Sequence, residues 1–195
     1  MKKGNAYTLA YRRKREGKTD YRTRLKLISS NMFRVIVRIS LNNILVQIVG
    51  FDLKGDKVLV SSHSRELIKY GWKAHRGNLP SSYLVGFLCG LKALQKGIDT
   101  GIIDFGFNRV VKGSSLFGVS KGLIDSGFKV KVNESFLPSE DRVSGKHIED
   151  YAKKVKDSEV YKKQFSVYLK NGFKPEDLSK YFDQAKEKMI ANVKR

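Results

Sequence analysis

One stretch constrains this chain more than any other: Phe33 to Ser62, FRVIVRISLNNILVQIVGFDLKGDKVLVSS, whose alternation fits extended backbone and not a helix. Phe33, Val35, Val37, Ile39 and Leu41 fall on one face, and Arg34, Ile36, Arg38 and Ser40 on the other. That is the two-residue period of a half-buried strand with a basic outer side. Asn42-Asn43 suits a two-residue hairpin turn, because Asn tolerates positive φ. Such a turn sets Leu41 opposite Ile44, Ile39 opposite Val46 and Val37 opposite Ile48, so the apolar faces coincide. In the same register Arg38 faces Gln47 and Arg34 faces Phe51. Gly55-Asp56 offers a second turn into Val58, Leu59 and Val60. Three antiparallel strands result, with one face packed on helices and the Arg34/Arg38 face left open.

Charge says what such a face would meet. Across 195 residues, 39 Lys and Arg oppose 19 Asp and Glu, a net of +20, which repels itself and favours a polyanionic partner. The imbalance is steepest at the start. Residues 1–30 carry ten basic side chains against Glu16 and Asp20, and too few apolar ones before Leu25 to order the segment by burial. Tyr7, Tyr11 and Tyr21 interleave with these cations, a pattern suited to stacking on bases beside phosphate contacts, although a solvated basic tail has the same composition. The single Cys89 excludes an internal disulfide and fits a reducing compartment. No run approaches the roughly 20 apolar residues of a membrane span, and the N-terminus lacks an apolar signal core, so a cytoplasmic protein is expected.

The remaining chain reads as alternating helices and strands. Glu66–Tyr70 suits a short helical piece, and Gly71–Gly77 an irregular loop holding the sole Trp72 with Lys73, His75 and Arg76. Trp72 there is either a loop anchor or a stacking platform. Asn78 and Pro80 start a helix whose apolar stripe is Leu84, Phe87, Leu88, Leu91 and Leu94, and Gly97 stops it. Ile102–Phe107 reads as a buried strand, Leu116–Ile124 as a helix and Phe128–Val132 as a last strand, together a βαβ unit. The expected fold is therefore α/β of the α+β kind, with a ribonuclease H-like layout. Three parts follow: a basic arm over residues 1–30, a central domain over 31–137, and a linker with a helical extension over 138–195. That extension holds 14 basic and 10 acidic residues and reads as a docking element more than a second phosphate grip. Its apolar spacing predicts three helices: one with Ile148, Tyr151, Ala152 and Val155, a second with Tyr161, Phe165, Tyr168 and Leu169, and a third after Pro175.

Candidate chemistry is sparse. A metal-dependent nuclease needs a carboxylate cluster beginning in the first strand, and FRVIVRISL has none; Asp52 and Asp104 read as strand-end carboxylates. Gly113–Gly118 opens like a phosphate loop, but Val119 and Ser120 stand where Lys and Ser or Thr are needed. His63 and His75 have no neighbours at ligand spacing. The sequence predicts no enzyme, no metal, no cofactor and no small-molecule substrate.

Several blocks taken together resemble a known family. Gly17-Lys-Thr-Asp-Tyr-Arg22 with Arg24-Leu25, Ser40-Leu-Asn-Asn-Ile44, Gln47-Ile-Val49, Gly77-Asn78, Gly113-Ser114, Lys121-Gly122, and Pro138–Arg142 through Gly145–Ile148 resemble, in this order, the universal 5S-rRNA-binding protein family of the large ribosomal subunit. The family is numbered eighteen in the bacterial and archaeal scheme and five in the eukaryotic one, and the arm and C-terminal helices resemble its archaeal form. The resemblance implies a structural protein holding 5S rRNA in the central protuberance, with 23S-type rRNA and neighbouring large-subunit ribosomal proteins as further partners. It implies RNA contacts by Arg12, Arg13, Arg15, Lys18, Tyr21, Arg22 and Arg24 of the arm, by Arg34, Arg38 and Gln47 of the sheet, and by Lys73 and Arg76 of the Trp72 loop.

Overall fold

The computed structural model describes residues 8–156 and 158–193, so Lys2, Lys3 and Tyr7 lie outside the described residues. Strands β1 (Arg34–Ile39), β2 (Ile44–Gly50) and β3 (Lys57–His63) form the antiparallel meander, and β4 (Ile102–Asp104) adds in parallel to β1, giving the order β3-β2-β1-β4. Val35, Val37, Ile44, Val46, Ile48 and Val60 turn inward and are buried.

The hairpin register differs from the one the Asn pair predicts. Ile39 pairs with Ile44, Val37 with Val46 and Val35 with Ile48, so the corner falls on Leu41-Asn42. Ser40 closes it: its N–H and its hydroxyl both donate to the Asn43 carbonyl, and its Oγ accepts from the Asn43 N–H. The side-chain staple removes the need for a positive φ at the Asn pair, and Leu41 is left 92% exposed. A shift of two residues keeps every side chain on its predicted face, so the core is the same in either register. In the observed register Arg34 lies opposite Val49, and Gln47 opposite Ile36, not opposite Arg38.

The mixed α/β character holds, but the second strand of the predicted βαβ unit does not form. Phe128–Val132 contributes one parallel bridge, Thr100 to Lys129, and then leaves the sheet. Phe128 is buried and anchors the segment, while Lys129 and Lys131 stay in solvent.

Helix α3 (Leu79–Gln95) starts where predicted, with the Asn78 side chain accepting from the Ser81 N–H and Pro80 in the first turn. It is buried on nearly every side, not along one stripe, because β2 and β3, α4 (Ser115–Asp125) and the last helix, α9 (Leu178–Val193), all pack on it. Glycines make the α3/α4 contact close. A Cβ on Gly86 would lie 2.2 Å from the Val119 carbonyl oxygen, and one on Gly122 would lie 2.2 Å from that of Tyr83. Gly86/Gly90 and Gly118/Gly122 are each four residues apart, which puts each pair on one helix face.

Beyond residue 138 the core continues without a break. Helices α5 (Glu140–Ser144), α6 (Lys146–Val155), α7 (Glu159–Gln164) and α8 (Ser166–Lys170) lead through a 3-10 turn at Pro175–Asp177 into α9. The predicted second helix is thus two short ones, broken at Phe165. Phe165, Tyr168, Phe173, Phe182 and Met189 join the same apolar cluster as Trp72, Tyr83 and Leu88. Trp72 is wholly buried, edge-on to Phe173 and Phe182, so of its two sequence readings the structure selects the anchor.

Two glycines of one helix test this packing. Gly122→Ala places a methyl against backbone and is expected to lower stability in urea by about 1–3 kcal/mol or more. Gly118→Ala meets the Leu79 and Ser82 side chains at 3.3 Å and the Leu79 carbonyl oxygen only at an ordinary contact distance of 3.5 Å, and it gains helix propensity, so it should fall within about 1 kcal/mol of the parent.

Candidate nucleic-acid interface

The arm is folded with little burial: in its helices Tyr21, Arg24, Leu27 and Ile28 are half-buried. Helix α1 (Arg12–Arg15) and helix α2 (Tyr21–Ser29) contain no buried residue. Local polar geometry shapes them. Asp20 caps α2, its carboxylate accepting from the Arg22 and Thr23 N–H groups and the Thr23 hydroxyl, and these bonds hold its pKa below the usual carboxylate value. Arg13 Nε donates to Thr19 Oγ1 at 2.8 Å, and Tyr11 packs on Tyr21 at 5.2 Å.

What holds the arm to the sheet is a chain of alternating charges. Arg24 of α2 donates to Asp56 from both terminal guanidinium nitrogens, Nη1 at 2.7 Å and Nη2 at 2.9 Å. Asp56 also accepts from Arg34, which donates in turn to Asp104 at 3.3 Å. Arg38 closes the series, 3.5 Å from Asp104 Oδ1 and bonded to the Asp104 and Val37 carbonyls. The Asp104 carboxylate accepts as well from the Gly106 N–H at 2.8 Å. Three guanidinium groups face two carboxylates. The Arg24 hydrogen bonds, followed by those of Arg34, outweigh partial burial and lower the pKa of Asp56.

The outer face is therefore not open, as the alternation predicts, but roofed by the arm. Between them lies a polar crevice of about 170 Å³. Arg13, Lys18, Arg24, Arg34 and Arg38, five of the twelve sequence-predicted residues, all line it. Their roles differ. Arg34 is 3% exposed and engaged by two carboxylates, whereas Arg13, Lys18 and Arg38 reach solvent. Arg12 pairs with Glu16 at 3.3 Å, Lys18 with Glu16 at 2.9 Å, and Arg12, Arg15 and Arg22 are exposed outside the crevice. Tyr21 is half-buried under Tyr11, and Gln47 sits half-buried on the outer face away from the crevice. Lys73 and Arg76 line a separate cavity.

Sequence reasoning misses Asp56, which joins arm to sheet; its place in a Gly-Asp turn looks like turn chemistry alone. Asp104, read as a strand-end carboxylate, supports Arg34 and Arg38. Among the described residues no group of three or more His, Cys, Asp or Glu is placed to hold a metal ion, and no helix is long and apolar enough to cross a membrane. Compared with known families, the chain matches the ribosomal large subunit proteins 60S L5 and 50S L18 over residues 5–101, a span covering most of the arm, the meander, the Trp72 loop and α3.

The charge chain makes a signed prediction. Asp56 has a lowered pKa in the folded protein, so its contribution is present above the unfolded value of about 3.9 and lost as pH falls through the folded one. Asp56→Asn should cost about 3 kcal/mol at pH 7, because nearly buried Arg34 is deprived of one of its two carboxylates. The difference from the parent in urea unfolding should shrink below pH 4, and trypsin should cut at Arg13 and Arg15 sooner in the variant.

Proposed function

The chain belongs to the family of ribosomal large subunit proteins 60S L5 and 50S L18, and we propose that within the ribosome it holds 5S rRNA and joins it to 23S-type rRNA at the central protuberance. Its role is structural and RNA-binding, not enzymatic, as the family's is. The observation that carries the finer reading is the crevice where arm and sheet bring five of the predicted cations together. An RNA backbone laid across the arm meets Arg13, Arg15, Lys18 and Arg22 on one flank and Arg38 on the other. Arg24 and Arg34 set the geometry of this grip from behind, through Asp56, and spend their charge inside the protein.

The strand order β3-β2-β1-β4, with Lys129 bridged beyond it, supports the ribonuclease H-like layout. On this scaffold Arg34 and Arg38 occupy the strand that carries the first carboxylate in the metal-dependent enzymes of that architecture. The face that would hold metal ions instead holds a guanidinium lattice. Recognition then rests on charge neutralisation and shape, with bases read only in loops and bulges, since A-form helices hide their major-groove edges. The C-terminal helices present the surface proposed for neighbouring large-subunit proteins, and the working place of such a protein is the cytoplasmic ribosome.

Arg13→Ala/Arg15→Ala/Lys18→Ala tests the arm. Against 5S rRNA its log-log salt slope should flatten by roughly 0.7–0.9 for each phosphate the variant no longer neutralises, while the parent prefers 5S rRNA to a tRNA pool near physiological salt. Equal affinity of the parent for both RNAs would reduce the protein to a general RNA-binding or chaperone role.

A further inference from the structure

A second site lies where the Trp72 loop meets helix α8. The cavity there is about 630 Å³, within the roughly 300–1,000 Å³ that receives small ligands, and it joins parts of the chain nearly a hundred residues apart. Ile68 and Val167, each 52% exposed, line it with aliphatic surface. Lys73, Arg76, Asn42 and Asn171 supply polar groups, and among the described residues no carboxylate borders it. Neither Lys73 nor Arg76 has an ion-pair partner among the described residues.

The loop that forms the cavity is held from several directions. Trp72 Nε1 donates to Ser81 Oγ at 2.9 Å, and Ser81 Oγ donates to the His75 carbonyl at 2.5 Å. The Gly77 N–H donates to His75 Nδ1 at 3.1 Å, and Asn171 Nδ2 donates to the Lys73 carbonyl at 3.1 Å. A Cβ on Gly77 would lie 2.6 Å from the Leu41 carbonyl oxygen, so the loop also rests on the β1–β2 corner. A ligand finds this site already ordered, which removes an entropic cost of binding.

We propose that this cavity seats one unpaired nucleotide of a bound RNA, its base against Ile68 and Val167 and its phosphates on Lys73 and Arg76. The inference rests on the RNA-binding reading above and deepens it. The lining asks for a ligand that is apolar on its faces, polar at its edge and anionic at its end. A nucleotide has that form, and an acidic peptide has the charge without the flat apolar faces. Position agrees: Asn42, on the rim, is four residues from Arg38, at most about 14 Å along the chain, so one RNA strand can serve crevice and cavity together. Val167 and Asn171 make the C-terminal helices part of the seat, a role their nearly balanced charge conceals.

Trp72 is the chain's only tryptophan and lies buried just behind the cavity wall, so a charged ligand seated there changes the field on its indole and its emission. Titrating the full-length protein with 5S rRNA should change Trp72 emission saturably. Ile68→Ala/Val167→Ala, both at exposed side chains, should abolish that change and weaken binding about 5-fold, the low end for a stacked base because the walls are aliphatic. Its salt slope should stay that of the parent. Lys73→Ala/Arg76→Ala should instead flatten the slope by roughly 0.7 for each phosphate left without its cation. Unfolding curves matching the parent's would exclude a folding defect as the cause. The proposal is overturned if both double variants bind with the parent's affinity and slope, or if poly-glutamate alters the emission and RNA does not. A parent that prefers 5S rRNA while the cavity variants stay silent sinks the seat alone. A parent that binds 5S rRNA and tRNA alike, with the emission change still dependent on these four side chains, sinks the 5S assignment and keeps the seat.

Discussion

A buried guanidinium dictates the architecture of the outer face. Arg34 opens β1, an inner strand of a sheet whose other side is the hydrophobic core, and it is withdrawn from solvent. A charge in that position is tolerable only when paired and hydrogen-bonded. Two carboxylates satisfy it, Asp56 from the β2–β3 connection and Asp104 from the end of β4, so one side chain fixes a turn and a strand end that are 48 residues apart. Two carboxylates around one guanidinium leave spare acceptor capacity, and Arg24 and Arg38 take it up. The arm is bound to the sheet by this logic. No residue of its two helices is fully buried and only Leu27 and Ile28 among their aliphatic side chains are half-buried, so the arm depends on these ion pairs.

The core is organised by the opposite kind of constraint. Helix α3 is enclosed by the sheet, α4 and α9, and the α3/α4 approach works only because Gly86, Gly90 and Gly122 lack a Cβ where the neighbouring helix passes. Close backbone approach excludes water and leaves little room for adjustment. The Trp72 loop leads into this helix and packs under Phe173 and Phe182. Movement of α9 would therefore be felt in the loop, which makes the C-terminal helices a support of the fold as well as an added surface.

How much of this is legible in the residues depends on the range of the interaction. The meander, the cap at Asn78 and the stop at Gly97 are written locally, in alternation, turn chemistry and spacing, and they stand where those local signals lie, whereas the reading of the arm as a basic run misses the Asp20 cap and helix α2. The hairpin corner departs from its Asn-Asn signal because a Ser40 side-chain staple competes with it, and nothing in propensity ranks one above the other. The last strand does not form because its apolar content serves Phe128's burial and not a ladder. The cations of the arm are visible as a run, but which of them face solvent and which are spent internally is decided by Asp56, 32 residues away from Arg24 in the chain. Pairing at that range leaves no local pattern. Trp72 is ambiguous in sequence for the same reason: its neighbours are polar along the chain and aromatic in space.

These two constraints divide the proposed interface into parts that behave differently. On the arm, order is electrostatic, and phosphate oxygens are the same kind of acceptor as the carboxylates that hold it. An incoming RNA can therefore compete for Arg38, and the arm, tied to the sheet through the Arg24–Asp56 pair, can adjust to the backbone it meets. At the Trp72 loop, order comes from burial and from hydrogen bonds that RNA does not replace, so the shape is set before binding. An adaptable grip gives affinity across many phosphates and little selectivity, while a rigid seat rejects what does not fit it. Selectivity for one RNA should accordingly reside on the side of the molecule with fewer charges.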